Sequence, residues 1–147
     1  MNILIIQGPN LNLLGVKSSK TGNRLTLDKV NRALRRHVRN QDINLKILQT
    51  HKLEKVITLI QRNRNWADGI IIAPMSWARY EYALKETLEL VGLPIVEVFF
   101  DDDFFMGTAT GESILADSNL KSVTGKPDQA FMDGVDILTK HLRNISE

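Results

Sequence analysis

The chain has no cysteine, only three histidines, two tyrosines and four prolines, in 147 residues. The missing thiols exclude disulfides, thiolate catalysis and Cys-ligated zinc or iron–sulfur centres. No apolar run approaches the roughly 18–20 residues needed to span a bilayer. The opening run Ile3–Ile6 is too short for a secretory leader, and no basic segment precedes it. An excess of one charge is lacking too: 19 Lys and Arg against 17 Asp and Glu leave a net +2. No repeat, linker or low-complexity tract is visible. The expectation is a cytoplasmic protein without membrane or nucleic-acid partners. What is present is ordinary for a globular protein, 43% hydrophobic and 24% charged. A chain of this length suits one domain, residues 1–147, able to bury roughly two-thirds of its unfolded surface.

Apolar patterning gives the elements. Met1–Gln7 reads as a buried strand, with Ile3, Leu4, Ile5 and Ile6 consecutive. From Gly8 to Arg24 the composition is Gly, Ser, Lys, Asn and Thr with Leu11, Leu13 and Leu14 embedded. That predicts a long loop, of the kind that serves as a lid or binding loop. Thr26–Asn40 is a helix with Thr26 as N-cap. Ile43–Gln49 alternates as a strand, and Lys52–Asn65 is a second helix. Gly69–Ala73 is a fully apolar strand ended by Pro74, and Ser76–Leu90 a helix closed by Gly92. Pro94–Phe99 is a fourth strand, residues 100–119 are irregular, and Leu120–Val123 is a short fifth strand. Pro127–Asn144 is the last helix. Apolar strands alternating with helices predict an α/β fold: a flavodoxin-like three-layer sandwich with a five-stranded, doubly wound parallel sheet. Ligands of such sheets bind beyond the strands' carboxyl ends at the switch point. Here that means Gly8-Pro9-Asn10, Ala73-Pro74-Met75 and Phe99-Phe100-Asp101.

The first of these ends, Gly8-Pro9-Asn10-Leu11-Asn12-Leu13-Leu14-Gly15, has neither Walker nor GxGxxG spacing. Its asparagines can hold an oxygen-rich ligand or simply form turns. The run Ile6–Gly15 closely resembles the opening of type II 3-dehydroquinate dehydratases. Gln49-Thr50, Ala67–Ile70 and Leu93–Val98 follow at matching spacing, so the similarity covers most of the chain and fades after residue 99. The resemblance implies a flavodoxin-like fold, a trimer or a dodecamer built from trimers, a shikimate or quinate pathway setting, and no metal or cofactor. It also implies dehydration of 3-dehydroquinate through an enolate. A lid tyrosine serves as base beside a lid arginine, a histidine serves as general acid, and hydrogen-bond donors stabilise the enolate oxygen.

Transferred position by position, Asn10 keeps the family's enolate-site asparagine and Glu97 keeps the glutamate that orients the active-site network. The lid arginine falls on Lys17, which retains a cation without the planar fork. The lid tyrosine falls on Thr21, and no tyrosine precedes residue 80. In the third loop the substrate-binding asparagine is Ala73 and a histidine is Arg79. The catalytic histidine of the fourth strand is Phe99, and residues 100–119 contain no counterpart of a later arginine. Ser76 and Glu86, the latter matching an acidic residue on the third helix, complete the substrate-binding set with Lys17 and Arg79.

The expected protein is therefore a type II dehydroquinase-like chain with a degraded catalytic set, weakly active or non-catalytic, that binds a small carboxylate. The alternatives are an active dehydratase with a rearranged site, or different chemistry with Glu97 as a base of raised pKa. Other features take structural readings. His37 and His141 lie within helices, His51 on a surface loop, and Tyr80 and Tyr82 in packing or subunit contact. Lys29, Arg32, Arg35, Arg36 and Arg39 form a solvated face. Asp101, Asp102 and Asp103 form a solvated turn, since consecutive side chains converge poorly on one ion. The phenylalanines around that turn are expected at a subunit interface or closing the cleft. Lys17, Lys20, Arg24 and Arg79 can draw an anionic small molecule toward the crevice.

Overall fold

Four successive apolar side chains leave a strand no polar face, so a sheet built around Ile3–Ile6 has to be covered on both sides. The structure, a computed structural model describing residues 1–146, meets that requirement. Strands β1 (Asn2–Gln7), β2 (Asn44–Gln49), β3 (Gly69–Ala73), β4 (Ile95–Phe100) and β5 (Lys121–Gly125) form one parallel sheet in the order β2-β1-β3-β4-β5. Alternation along the strands sends Ile3, Ile5, Ile71, Val96 and Val98 to one face. There they meet Val30 and Leu34 of α2 (Leu27–His37) and Phe131, Val135 and Leu138 of α6 (Pro127–Ser146). Leu4, Ile6, Ile70, Ile72 and Ile95 face the other way. They pack on Val56 and Ile60 of α3 (Leu53–Asn63) and Leu84 and Leu88 of α5 (Tyr82–Val91). Chain order reverses between β1 and β3, so the crevice opens where Asn10 and Met75 leave the sheet.

Two local expectations, at Thr26 and Gly92, hold. Thr26 caps α2 by accepting the Lys29 N–H at 3.3 Å. Gly92 ends α5 in the left-handed region, φ 71°. The edge strand β2 carries Lys46, whose ammonium donates to Asn63 at 2.7 Å and lies 4.3 Å from the Trp66 ring centroid. A charge held at the rim discourages pairing with another sheet.

Two expectations change. Residues 11–19 are helical, a 3-10 turn Leu11–Leu13 followed by α1 (Leu14–Ser19), so the long loop shrinks to the stretch before α2. The reason is an inward stripe of Leu11, Leu14 and Ser18, at i, i+3 and i+7, all fully buried. Ser18 makes this work with a hydroxyl instead of an apolar group. Its Oγ donates to the Leu25 carbonyl and accepts the Leu25 N–H, each at 2.8 Å. The helix expected over Ser76–Leu90 is two helices, α4 (Trp77–Tyr80) and α5, broken at Glu81 (φ −88°, ψ 75°). The Ala78 carbonyl, which a continuous helix would offer to Tyr82, instead accepts the Ile114 N–H at 2.8 Å. No helix among the described residues is long and apolar enough to cross a membrane.

Candidate functional site

The carboxyl ends of β1 and β3 both finish on a residue with a left-handed backbone, Asn10 (φ 71°) and Met75 (φ 56°). Asparagine tolerates that region, whereas for methionine it is strained. The neighbouring chain holds Met75 in place. Thr108 Oγ1 donates to the Met75 carbonyl at 2.7 Å. Gly107, itself at φ 78°, lies so close that a Cβ there would fall 2.8 Å from the Met75 Cα. Residues 107–115 thus form a strap across the β3–α4 turn, fastened further by the Ile114–Ala78 bond.

Between these parts lies an open cavity of about 260 Å³, lined by Pro9, Asn10, Lys17, Met75, Ser76, Phe105, Met106 and Gly107. Three sequence candidates meet here: Asn10 from the β1 end, Lys17 from α1, and Ser76 from the β3 end. Lys17 is half-buried, and no ion pair engages it among the described residues. Phe105 is shared with a second hollow, also about 260 Å³, lined by Phe99, Phe100, Asp101, Asp102, Phe105, Ala109, Thr110 and Thr124.

The other candidates lie apart. Glu97 is fully buried in β4 and does not line the cavity. Burial pushes its carboxyl above the ordinary value, while hydrogen bonds from Ser113 and Asn119 act the other way. Ser113 Oγ donates to Oε2 at 2.6 Å, and the Asn119 amide donates to Oε1. Glu97 therefore anchors the strap, through Ser113, and the segment just after it, through Asn119, to the sheet. Arg79 turns to the strap and pairs with Glu112, Nη2 to Oε2 at 3.0 Å, and Glu112 also accepts the Ala109 N–H. Its Nε is buried without a partner. Glu86 lines a larger hollow of about 470 Å³ with Gln61, Arg64, Asn65, Thr87, Leu90 and Val91. That hollow lies between the last turns of α3 and α5, helices that run back toward the strands' amino ends.

Thr21 is exposed, its hydroxyl donating to the Ser18 carbonyl at 2.8 Å on the turn that ends α1. Ala73 is fully buried in the core and Phe99 is 3% exposed. Tyr80 and Tyr82, 77% and 65% exposed, line none of these hollows. His37 pairs with Asp136 of α6 at 2.7 Å, His51 is exposed, and His141 is half-buried on α6. No group of three or more His, Asp or Glu side chains is arranged to hold a metal ion among the described residues. Phe99, Phe100 and Phe104 are buried within the chain itself, which leaves Phe105, 44% exposed, at the crevice. Phe105 lines the cavity, as one of the two places expected for the phenylalanines allows, whereas nothing in the sequence marks Met106, Glu112, Ser113 or Asn119. Met106 lines the cavity and the other three bond to Arg79 and Glu97, all from a segment without periodicity.

The family model for Dehydroquinase class II matches residues 1–139. The chain belongs to that family. Among curated relatives, the 3-dehydroquinate dehydratase of Clostridium botulinum (strain Hall) is 26% identical over 141 residues, covering 96% of each chain. That of Dictyoglomus turgidum is 30% identical over 125 residues, 85% of this chain and 86% of the relative. The crystal structure of type II dehydroquinase from Butyrivibrio crossotus matches with a TM-score of 0.81 at 22% identity, covering 95% of this chain and 97% of that one. A 3-dehydroquinate dehydratase-like protein from Bifidobacterium longum matches with a TM-score of 0.70 at 16% identity over 100% and 99% of the two chains. These solved structures share the fold.

Proposed function

We propose that this member of the class II dehydroquinase family is a weakly active or non-catalytic relative that binds a small carboxylate in the cavity of Asn10, Lys17 and Ser76. One observation carries the reading. The lining offers an ammonium, an amide and a hydroxyl but, among the described residues, no phenol, imidazole or carboxyl group that could take a proton beside a ketone or deliver one to a departing hydroxyl. Lys17 supplies the charge, and Asn10 and Ser76 supply the directional contacts. Glu97, bonded to Ser113 and Asn119 inside the sheet, acts on the site only through the strap. The protein works in the cytoplasm as a homo-oligomer, a trimer or a dodecamer.

The curated relatives are called 3-dehydroquinate dehydratases, and this favours a second reading, an active dehydratase with a rearranged site. Incubating the purified protein with 3-dehydroquinate and following the enone product by ultraviolet absorbance separates the two. Loss of one general acid–base group lowers the rate by about 10²–10⁴-fold. The expected turnover is therefore at least ~10²-fold below that of a family dehydratase assayed alongside. Comparable turnover overturns the first reading. Light scattering after gel filtration tests the assembly, and a monomer at working concentration counts against it.

A further inference from the structure

The cavity's lining constrains the ligand more tightly than "a small carboxylate". Resting on the reading just given, we infer that it selects a single-ring monocarboxylate with a largely apolar body over polyhydroxylated ring acids and over compact anions such as phosphate.

Size comes first. About 260 Å³ falls below the roughly 300–1,000 Å³ of pockets that take drug-sized ligands, so one ring with its carboxylate is the natural occupant.

Charge comes second. Among the described residues, Lys17 is the cavity's one charged lining residue. Arg79, the nearby cation in sequence reasoning, is neutralised by Glu112. Asp101 and Asp102 line the hollow that shares Phe105 with this cavity. A second negative group on the ligand would gain no cation and would meet like charge there.

Polarity comes third. The polar side chains are Asn10, Lys17 and Ser76, and none of the three makes a side-chain hydrogen bond within the described chain. Their capacity is free for a carboxylate and one further polar substituent. The remaining side chains are Pro9, Met75, Phe105 and Met106, which offer a ring hydroxyl no donor and only weak thioether acceptors. A hydroxyl buried against them without a partner lowers affinity by about tenfold or more. A methylene in the same place gains from leaving water. The apolar wall is built into the fold: Gly107 backs onto Met75, and the Thr108–Met75 bond fixes the strap from which Phe105 and Met106 lead.

The test is titration calorimetry, with ligand-observed NMR, on the full chain using four probes: cyclohexanecarboxylate, quinate, cyclohexanol and inorganic phosphate. Cyclohexanecarboxylate is expected to bind at least about tenfold more tightly than quinate. Cyclohexanol and phosphate are expected to bind weakly or not at all. Lys17→Met, its fold checked by circular dichroism, is expected to abolish the preference for the carboxylate over the alcohol. Met106→Gln is expected to narrow the gap between the two acids. Quinate binding as tightly as cyclohexanecarboxylate overturns the apolar-body inference while leaving carboxylate binding in place. Phosphate binding as tightly also overturns it, since the site would then read charge alone. If neither acid binds, the carboxylate reading itself fails.

Discussion

Ser18→Ala isolates what holds Lys17 at the crevice. The Ser18 hydroxyl is fully buried and satisfies both backbone groups of Leu25, donating to its carbonyl and accepting its N–H at 2.8 Å each. Alanine fits the space but strands two backbone groups in a region where Leu25 is itself buried. A stranded buried group costs about 1–3 kcal/mol. Local opening of α1 lets water in and caps the total, so the net expectation is about 2 kcal/mol, close to a 30-fold shift in the opening equilibrium. Hydrogen exchange followed by NMR reads this directly, because the Leu25 amide is the reporter. Its exchange is expected to speed up about 30-fold, and the amides of α1 with it. Ser19→Ala, which removes an exposed bond to the Val16 carbonyl, is the control and should change exchange by no more than about twofold. Lys17 immediately precedes Ser18, so affinity for cyclohexanecarboxylate should fall with the closed fraction. A Leu25 amide exchanging at the wild-type rate would refute the reasoning and leave Leu11 and Leu14 as the elements that hold the helix.

Gly107→Ala places a Cβ 2.8 Å from the Met75 Cα at φ 78°. The left-handed backbone alone costs about 1–2 kcal/mol, and the backbone contact adds to it; urea unfolding should show a loss of at least that size. Glu97 has a native pKa above its ordinary value of 4.5 because of burial. The native state therefore holds that proton more tightly than the unfolded chain. The stabilisation is full below the unfolded value and is lost as pH rises through the native one. Urea midpoints of Glu97→Gln should lack this decline; a wild type that gains stability relative to the variant across that window would contradict it. Glu112→Gln breaks a half-exposed pair with Arg79 and should lower stability by less than about 1 kcal/mol. A larger drop in a thermal melt would mean the pair holds the strap.

Much of the fold was legible because the signals were local. Ile3–Ile6 and Ile70–Ile72 admit only doubly covered strands, and Thr26 and Gly92 mark helix ends by their own chemistry. Hidden features depended on distant partners. The stripe Leu11, Leu14, Ser18 has helical spacing, but a serine in an inward place disguises it until Leu25 is seen against it. The break at Glu81 follows from Ile114 taking the Ala78 carbonyl, more than thirty residues away in sequence. At the site, Asn10 and Ser76 were legible from their place at strand ends, and Lys17 from the family resemblance, which sets it at the lid arginine. The positions of Arg79 and Glu86 were not, because one depends on Glu112 and the other on which end of the sheet the last turns of α3 and α5 reach.

The burial of Ala73 and Phe99 has a consequence for redesign. Both side chains contribute packing at the ends of β3 and β4. An amide or imidazole introduced at either place would have to bring its own hydrogen-bonding partner or forfeit stability. A polar group at either strand end therefore comes at no loss only when a second change supplies its partner.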